Sequence, residues 1–252
     1  MKEGFDASIA SGLALPFRGW DFSPIQDRWR FDPRPWDFAE ILRLRLQASS
    51  AFLDLGTGGG EFLASLAPLP ERTYASEGYE PNLEPARTRL APLGVQVLPI
   101  GRDQRIPLPD GSVDLVSSRH EGFSPAEIRR VLVPEGSFVT EQVGSRNFHE
   151  LRERLGVGAP RTMNDVSSSD ALAGEIARAG LAILDRREAF IRAEFLDVGA
   201  IAFYLRAAPW EAAGVPVEHL RDRLKAVHEE IRRDGSFRVT AHRLLVVARR
   251  EA

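Results

Sequence analysis

Phe52-Leu-Asp-Leu-Gly-Thr-Gly-Gly-Gly-Glu61 joins a short apolar run to a group of glycines. Residues 51–55 predict a buried strand, and residues 61–66 predict the start of a helix. The backbone must turn sharply between them, and glycine supplies the torsional freedom and the missing side chain that such a turn needs. A ligand can then approach the bare backbone and the unpaired N–H groups of the helix start. The stretch therefore predicts a binding turn for a nucleotide or a nucleoside.

The glycine spacing narrows the kind of ligand. A dinucleotide fingerprint has Gly-x-Gly-x-x-Gly, in which the third glycine packs the helix on the strand. Gly56 and Gly58 fit this pattern, but Glu61 occupies the third place and the series continues at Gly60. A carboxylate at that place would repel a pyrophosphate, so the turn favours a cofactor without phosphates. A tight turn that binds no ligand is the alternative interpretation.

Composition excludes several classes of site and partner. The 252 residues suffice for one α/β domain with a sizeable core. The absence of cysteine excludes disulfides, thiolate metal sites and a thiol nucleophile, and the five histidines lack metal-type spacing, so we expect no metal. The net charge of −3 argues against a nucleic-acid partner.

No membrane association is expected from the sequence. No apolar stretch approaches the ~20 residues that span a bilayer. The N-terminus also lacks a charged region followed by an apolar segment of the signal-peptide type. These two features predict a cytoplasmic protein.

Strands and helices are predicted to alternate after residue 50. Such βαβ alternation predicts a parallel sheet with helices on both faces. After residue 145 the predicted strands and helices no longer alternate regularly. A separate small α+β domain is an alternative interpretation of this part. The predicted strands are 51–55, 73–76, 95–99, 112–117, 136–143, 181–189 and 237–248. The predicted helices are 37–47, 60–67, 82–93, 125–132, 147–155, 168–179, 196–206 and 217–233.

Residues 1–36 lack clear periodicity and are rich in aromatic residues, prolines and arginines. We interpret them as an irregular arm with at most one short helix, which could act as a lid. Residues 37–252 would form the main domain, with a helical insertion around 190–235 as a possible substrate cover.

Several segments in order resemble one family. Asp54-Leu-Gly-Thr-Gly-Gly-Gly60 resembles motif I of the class I S-adenosylmethionine-dependent methyltransferases. Glu127-Ile-Arg-Arg-Val-Leu-Val-Pro-Glu-Gly136 resembles the family segment usually written Arg-Val-Leu-Lys-Pro-Gly-Gly, and the resemblance covers about residues 51–143. It implies a Rossmann-like, doubly wound α/β fold with a mostly parallel seven-stranded sheet and an antiparallel last strand. The Asn/Asp-Pro-Pro-Tyr signature for methylation of exocyclic amino groups is absent.

The resemblance implies S-adenosyl-L-methionine as the cofactor. Glycines of the turn would wrap its methionine part. An acid at the end of the second strand, ~20 residues past the turn, would bind its ribose; Glu77 is the first choice and Glu80 the competing one. Asp103 matches the acid that binds adenine, although Arg102 could hold that register instead. The expected cofactor-binding residues are Asp54, Gly56, Thr57, Gly58, Gly60, Glu77, Gly78, Asp103 and Ser118.

The fourth strand of the motif region runs into Ser117-Ser-Arg-His-Glu121. In an open parallel sheet, ligands bind beyond the carboxyl ends of the strands, so this segment should face the transferred methyl group. His120 is the candidate general base because its ordinary pKa lies near neutrality. A packing role, or a hydrogen bond to the cofactor, is the alternative. Arg119 and Glu121 are candidates for contact with the substrate.

Aromatic residues near the N-terminus could cover a substrate pocket. Trp20 and Trp36 are the candidates, and packing of the arm on the sheet explains them equally well. Arg18 and Arg243 could pair with an acidic substrate, although surface arginines are more often simply solvated.

The sequence therefore predicts a methyltransferase that acts on a small-molecule acceptor. A NAD(P)-dependent oxidoreductase and a non-catalytic S-adenosylmethionine-binding protein are the alternatives. An RNA methyltransferase is less expected, since one rRNA guanine methyltransferase family with a similar core carries an N-terminal cysteine zinc site that this chain lacks. The acceptor and the oligomeric state are left open.

Overall fold

A computed structural model describes residues 4–158 and 166–251. In this part of the chain eight strands form one mixed sheet, in the order β1-β7-β8-β6-β5-β2-β3-β4. The strands are β1 (Trp29–Phe31), β2 (Ala51–Leu55), β3 (Arg72–Glu77), β4 (Gln96–Pro99), β5 (Val113–Arg119), β6 (Leu132–Val143), β7 (Leu181–Phe195) and β8 (Phe237–Arg250).

The α-helices of the described residues cover both faces and the β7–β8 end of the sheet. They are α1 (Phe5–Ala14), α2 (Phe38–Leu46), α3 (Glu61–Ser65), α4 (Glu80–Leu90), α5 (Pro125–Val131), α6 (His149–Leu155), α7 (Ser169–Arg178), α8 (Val198–Ala207) and α9 (Arg221–Asp234). None of them is long and apolar enough to cross a membrane.

Strands β2 to β6 form the parallel part of the sheet. All five residues of β2 are buried, as expected for a central strand covered on both faces. The chain winds outward from β2 through β3 to β4, then returns to the other side of β2 to form β5. This reversal creates a topological switch point between β2 and β5, and ligands of such sheets bind beyond the carboxyl ends of the strands there.

Strand β8 lies between β6 and β7 and is antiparallel to both. The predicted antiparallel last strand is therefore confirmed. Residues after 145 contribute β7 and β8 to the sheet of residues 51–143, so these strands complete that sheet rather than form one of their own. Strand β7 runs to Phe195, six residues beyond the predicted end.

The expectation of seven strands is wrong, because the described residues form eight. The additional strand, β1, comes from the segment predicted to be an irregular arm and pairs antiparallel with β7, with Trp29 opposite Phe195. A three-residue strand is too short to show the alternation by which strands are recognised. Strand β1 pairs with the end of β7, whose backbone N–H and C=O groups on that side would otherwise have no strand partner.

The arm is also attached through α1, which packs on α8 at a glycine contact. A side chain on Gly12 would collide with the backbone carbonyl of Gly199, and one on Gly199 would collide with the carbonyl of Ser8. Arg28 adds an ion pair to Asp197, with Nη2–Oδ1 at 2.5 Å and Nε–Oδ2 at 2.8 Å. Asp197 also caps the start of α8, so the arm is fixed to the insertion that was predicted as a substrate cover.

Helix α2 begins as the sequence predicts. The Asp37 side chain accepts hydrogen bonds from the backbone N–H groups of Ala39 at 2.8 Å and Glu40 at 3.2 Å. Such a cap satisfies donors that have no partner within the helix. The apolar face of α2, including Leu42 and Leu46, packs on the sheet.

We expect Gly12→Ala to destabilise the protein, because the added methyl group has no room between α1 and α8. Overpacking of this kind costs about 1–3 kcal/mol. Gly174→Ala is the matched control, because Gly174 also lies inside a helix but has nothing within 4 Å of an added methyl group. This control should gain about 0.5–1 kcal/mol from helix propensity. Urea unfolding measures both variants, and equal effects would contradict the close contact.

Candidate functional site

The glycine turn lies between β2 and α3 with positive φ angles at Gly56 (69°), Gly58 (61°) and Gly60 (81°). A side chain on Gly56 would collide with the Glu121 side chain, and one on Gly58 would lie 3.3 Å from Trp20 Cδ1. A side chain on Gly60 would instead meet Leu90 Cγ of α4 at 2.8 Å. Gly60 therefore allows close packing of two helices, while Gly56 and Gly58 allow the close approach of Glu121 and Trp20.

Glu61 follows the turn at the place of the third fingerprint glycine. Its carboxylate folds back against Gly59 and pairs with Arg89 Nη2 at 2.9 Å. The acid thus takes up space beside the turn, as expected for a site that does not hold a pyrophosphate.

Asp54 is buried at the end of β2, opposite Ser117 of β5. The Ser117 hydroxyl donates to Asp54 Oδ1 at 2.6 Å. Burial raises the pKa of Asp54 to about 6, although the hydrogen bond from Ser117 acts in the opposite sense. The strand pair therefore holds a carboxyl group under the glycine turn at an energetic cost.

Glu77 ends β3 and is buried beside the turn. Its Oε1 accepts the N–H of Tyr79 at 2.6 Å, and its Oε2 lies 3.5 Å from Asn82 Nδ2. A carboxylate has about four acceptor positions, so two remain for hydroxyl groups of a ligand. Gly78 is the next residue, and a side chain there would touch Ile100 at 3.4 Å. Glu80 is exposed at the start of α4.

Asp103 lies in the exposed loop after β4. Its Oδ1 accepts the backbone N–H of Arg105 at 3.3 Å. The loop begins beside the predicted ribose site, because Ile100 N–H donates to the Glu77 carbonyl at 3.1 Å. Arg102, the competing residue for the adenine contact, is exposed in the same loop.

Ser118 is fully buried near the end of β5. Its hydroxyl donates to the Glu121 carbonyl at 3.1 Å, and Gln142 Nε2 donates to the same carbonyl at 3.1 Å. These bonds fix the turn that places the Glu121 side chain over Gly56. Burial, together with the nearby Glu77 carboxylate, raises the pKa of Glu121 to about 7.

Glu141 of β6 is a functional candidate that the sequence reading missed. Its fully buried carboxylate accepts Trp36 Nε1 at 2.7 Å and Arg34 Nη1 at 3.1 Å. His120 Nε2 lies 3.2 Å from it and Arg119 Nε 3.5 Å from it. Burial alone would raise the pKa of Glu141, but the hydrogen bond from His120 and the two guanidinium groups lower it overall. An acid inside an apolar strand was the signal that could have revealed it.

His120 adopts a left-handed backbone conformation, with φ of 61°. Its N–H donates to the Glu141 carbonyl at 2.8 Å, so backbone and side chain are both held by Glu141. Burial lowers the pKa of His120 while Glu141 opposes that effect, so the ring is neutral at pH 7. With the proton on Nε2 facing Glu141, Nδ1 is the basic nitrogen.

The predicted substrate residues fall into two groups. Trp36 and Arg119 meet at Glu141, and the Arg119 guanidinium also lies 4.6 Å from the centre of the Phe62 ring. Trp20 lies on the glycine turn instead, 46 % exposed, with its ring 5.6 Å from that of Trp210. The arm thus contacts both the glycine turn, through Trp20, and the buried Glu141 carboxylate, through Trp36.

Residues 53–140 match the family model described as a methyltransferase domain. Over these residues the chain is similar to the class I S-adenosylmethionine-dependent methyltransferases, as the sequence predicts. The matched range contains the glycine turn, Glu77 and the segment up to β6, which are the parts that carry the sequence resemblance.

Several solved structures share the fold of this chain at low sequence identity. The YcgJ protein of Bacillus subtilis is 16 % identical, with a TM-score of 0.61 over 85 % of this chain and 98 % of that one. A proposed methyltransferase of Bacillus halodurans C-125 is 18 % identical, with a TM-score of 0.60 over 86 % and 99 %. A proposed methyltransferase of Haloferax volcanii, solved with the Trm112 activator, is 22 % identical, with a TM-score of 0.52 over 100 % of both chains. Among the curated proteins no significant match is found.

We expect Asp54→Asn to change how stability depends on pH. The folded-state pKa of Asp54 lies near 6, above its unfolded value, so the wild type loses stability as the pH rises from 4 through 6. Two pKa units correspond to about 3 kcal/mol, and the asparagine variant should avoid that loss. Urea unfolding at pH 4 and pH 8 measures the difference. Asp27→Asn, at an exposed position, is the control, and parallel pH profiles in all three proteins would refute the assignment.

Proposed function

We propose that this protein transfers a methyl group from S-adenosyl-L-methionine to a small-molecule acceptor. The observation that carries the proposal is the set of carboxyl groups around the glycine turn, from Asp54, Glu77 and Glu121. S-adenosylmethionine is a cation with a ribose and no phosphate, so it suits acids at this place.

The residues present fit this cofactor. Gly56 and Gly58 have no side chains of their own, so the Glu121 side chain and the Trp20 ring come close to the backbone of the turn, and Thr57 lies between the two glycines. Glu77 has free acceptor positions for the two ribose hydroxyls, and Gly78 continues the same turn. Asp103, in the loop beside Glu77, is proposed for the adenine. Asp54, Gly60 and Ser118 would act mainly by holding the turn and the Glu121 loop.

A nicotinamide dinucleotide fits less well. Its pyrophosphate would lie at a turn that carries Glu61 and Glu121, and like charges at short range are unfavourable. The family match over residues 53–140 points in the same direction.

The cofactor supplies an electrophilic methyl group, so the protein mainly has to align the acceptor and exclude water. His120 directly follows β5, and its ring is unprotonated at pH 7 because burial lowers its pKa to about 4. We propose that it takes the proton of the acceptor, while Glu141 stabilises the imidazolium that forms. Arg119 and the arm residues Trp20 and Trp36 would enclose the acceptor.

Residues 1–36 and the insertion around 190–235 are proposed as the cover of the site. Their contact at Gly12 and Gly199 and the ring contact of Trp20 with Trp210 join the two segments, and Trp20 also lies against Gly58 of the turn. A cover of this size suits a small acceptor better than a folded nucleic acid, in agreement with the net charge of −3.

Glu77→Ala should weaken binding of S-adenosylhomocysteine by about 10- to 100-fold, because hydrogen bonds to a charged group contribute about 1.5–3 kcal/mol. Isothermal titration calorimetry measures the affinity. Glu80→Ala, at the exposed competing acid, should bind as the wild type does.

A thermal shift with S-adenosylhomocysteine but not with NAD is expected for the wild type. Stabilisation by NAD alone would favour the oxidoreductase, and cofactor binding without turnover on a broad acceptor panel would favour a non-catalytic binding protein.

Affinity for S-adenosylmethionine should rise with pH around neutrality. Glu121 is protonated below a pKa of about 7, and a cationic cofactor prefers its carboxylate form. Between pH 6.5 and 7.5 the expected gain is about threefold, and Asp54 contributes mainly at lower pH. Glu121→Gln should flatten this profile, whereas Glu80→Gln should keep it. A slope that persists in Glu121→Gln would contradict the role of this acid.

A further inference from the structure

A second charged region lies next to the carboxyl groups of the glycine turn. Strands β5, β6 and β8 are neighbours in the sheet, with Arg119 opposite Glu141 and Arg243 opposite Val143. Residues paired across strands point to the same face, and so do residues two apart along a strand. Arg119, Glu141 and Arg243 therefore lie on one face at the same end of the sheet.

Arg34 joins them from the arm. Its Nη1 lies 3.1 Å from Glu141 Oε1, the same oxygen that faces Arg119 Nε at 3.5 Å. Arg34 also lies near Arg243, since its positive charge helps to lower the pKa of Arg243 after the larger effect of burial. Three guanidinium groups thus approach one carboxylate.

Arg243 is the most deeply buried of the three, with 8 % of its surface exposed. Its Nη1 donates to Asn147 Oδ1 at 2.7 Å and to the His242 carbonyl at 3.0 Å. Its Nε is buried and has no hydrogen-bond partner among residues 4–158 and 166–251. A buried donor without a partner is costly, and a ligand that accepts its hydrogen bond would remove the cost.

Neighbouring acids do not balance this charge. Glu211 is already paired with Arg152, with Nη1–Oε2 at 3.2 Å. Burial raises the pKa of Tyr204 far above its usual value, so the phenol beside Arg243 is neutral. Asp54 influences Arg119 less than Glu141 and Arg34 do. Asp37 and Glu40 line the same cleft as Arg34 and Arg119, but both acids are exposed to solvent, and Asp37 already accepts N–H groups at the start of α2. Glu141 is the buried acid that the three arginines share, so positive charge is in excess around it.

We propose that Arg34, Arg119 and Arg243 bind an oxyanion group, a carboxylate or a phosphate, of the methyl acceptor. Guanidinium groups match the planar geometry of a carboxylate and the oxygens of a phosphate, with several N–H donors in fixed directions. A cleft of about 600 Å³, lined by Arg34, Trp36, Phe62 and Arg119 together with Asp37 and Glu40, gives access from solvent to Arg34 and Arg119. Arg243 lies deeper, behind the residues that line this cleft.

The substrate class follows from the position of this subsite. His120 contacts Glu141, so an acceptor held by the arginines presents its reactive atom near the proposed base. That the bound anion is the methyl acceptor rests on the proposed function. Binding of the anion itself can be measured without any methyl transfer. The acceptor class is then a small acid rather than a neutral or cationic molecule.

The test is calorimetric titration of the full-length protein with benzoate, with inorganic phosphate and with benzamide, each with and without saturating S-adenosylhomocysteine. Saturable binding of benzoate, of phosphate or of both is expected, and benzamide should not bind. The benzoate and phosphate arms distinguish the two sources of the oxyanion. Arg243→Gln and Arg119→Gln should each weaken binding at least tenfold, while Arg243→Lys should restore part of it.

Arg238→Gln is the matched control, because Arg238 lies on the same strand but its side chain is 73 % exposed. Melting temperatures show whether each variant is folded. If Arg243→Gln does not fold, the binding measured with Arg119→Gln decides whether the subsite exists. Equal binding of benzoate and benzamide, no binding of either anion, or unchanged binding in the Arg119 and Arg243 variants would overturn the subsite. These outcomes hold whether or not S-adenosylhomocysteine binds, so failure of the cofactor proposal is detected separately.

Discussion

The proposed acceptor side of the site depends on the ion pairs and hydrogen bonds of the buried Glu141 carboxylate. This carboxylate receives donors from two separate parts of the chain: Trp36 and the Arg34 guanidinium from the arm, and His120 just after β5. Removing one partner of a buried charged cluster typically costs about 3–5 kcal/mol, because the remaining charges lose their compensation. The same carboxylate therefore orients the candidate base and holds the arm against the sheet, so the site and its cover are assembled together.

Much of the fold could be predicted because its signals are local. The buried run of β2, the glycine turn and the cap at Asp37 each follow from a few adjacent residues, and their predicted bounds agree closely with the structure. Strand β1 could not be predicted, since three residues carry no periodicity and their pairing with β7 is set by distant packing. The requirement for glycine at position 60 could not be predicted either, because it is set by contact with Leu90, thirty residues away.

The candidate site divides in the same way. Asp54, Glu77 and the glycines belong to motifs with fixed spacing, so the sequence identifies them as candidates for cofactor binding. Glu141 and Arg243 belong to no motif, and what brings them together is the order of strands β5, β6 and β8. Arg243 could be read from the sequence as a solvated surface residue, whereas the structure buries it.

The two halves of the site have opposite charge, and this arrangement has a chemical consequence. Carboxyl groups from Asp54, Glu77 and Glu121 surround the glycine turn, while arginines dominate beyond β5. A cationic methyl donor would be attracted to the acidic half and an anionic acceptor to the arginine half. The opposite charges of donor and acceptor would also attract each other. The proposed methyl transfer would remove the sulfonium charge and leave a thioether, which the acids would bind less strongly. The acidic half should therefore favour the donor over its spent form, so the charge pattern that assembles the reactants also assists release of the product.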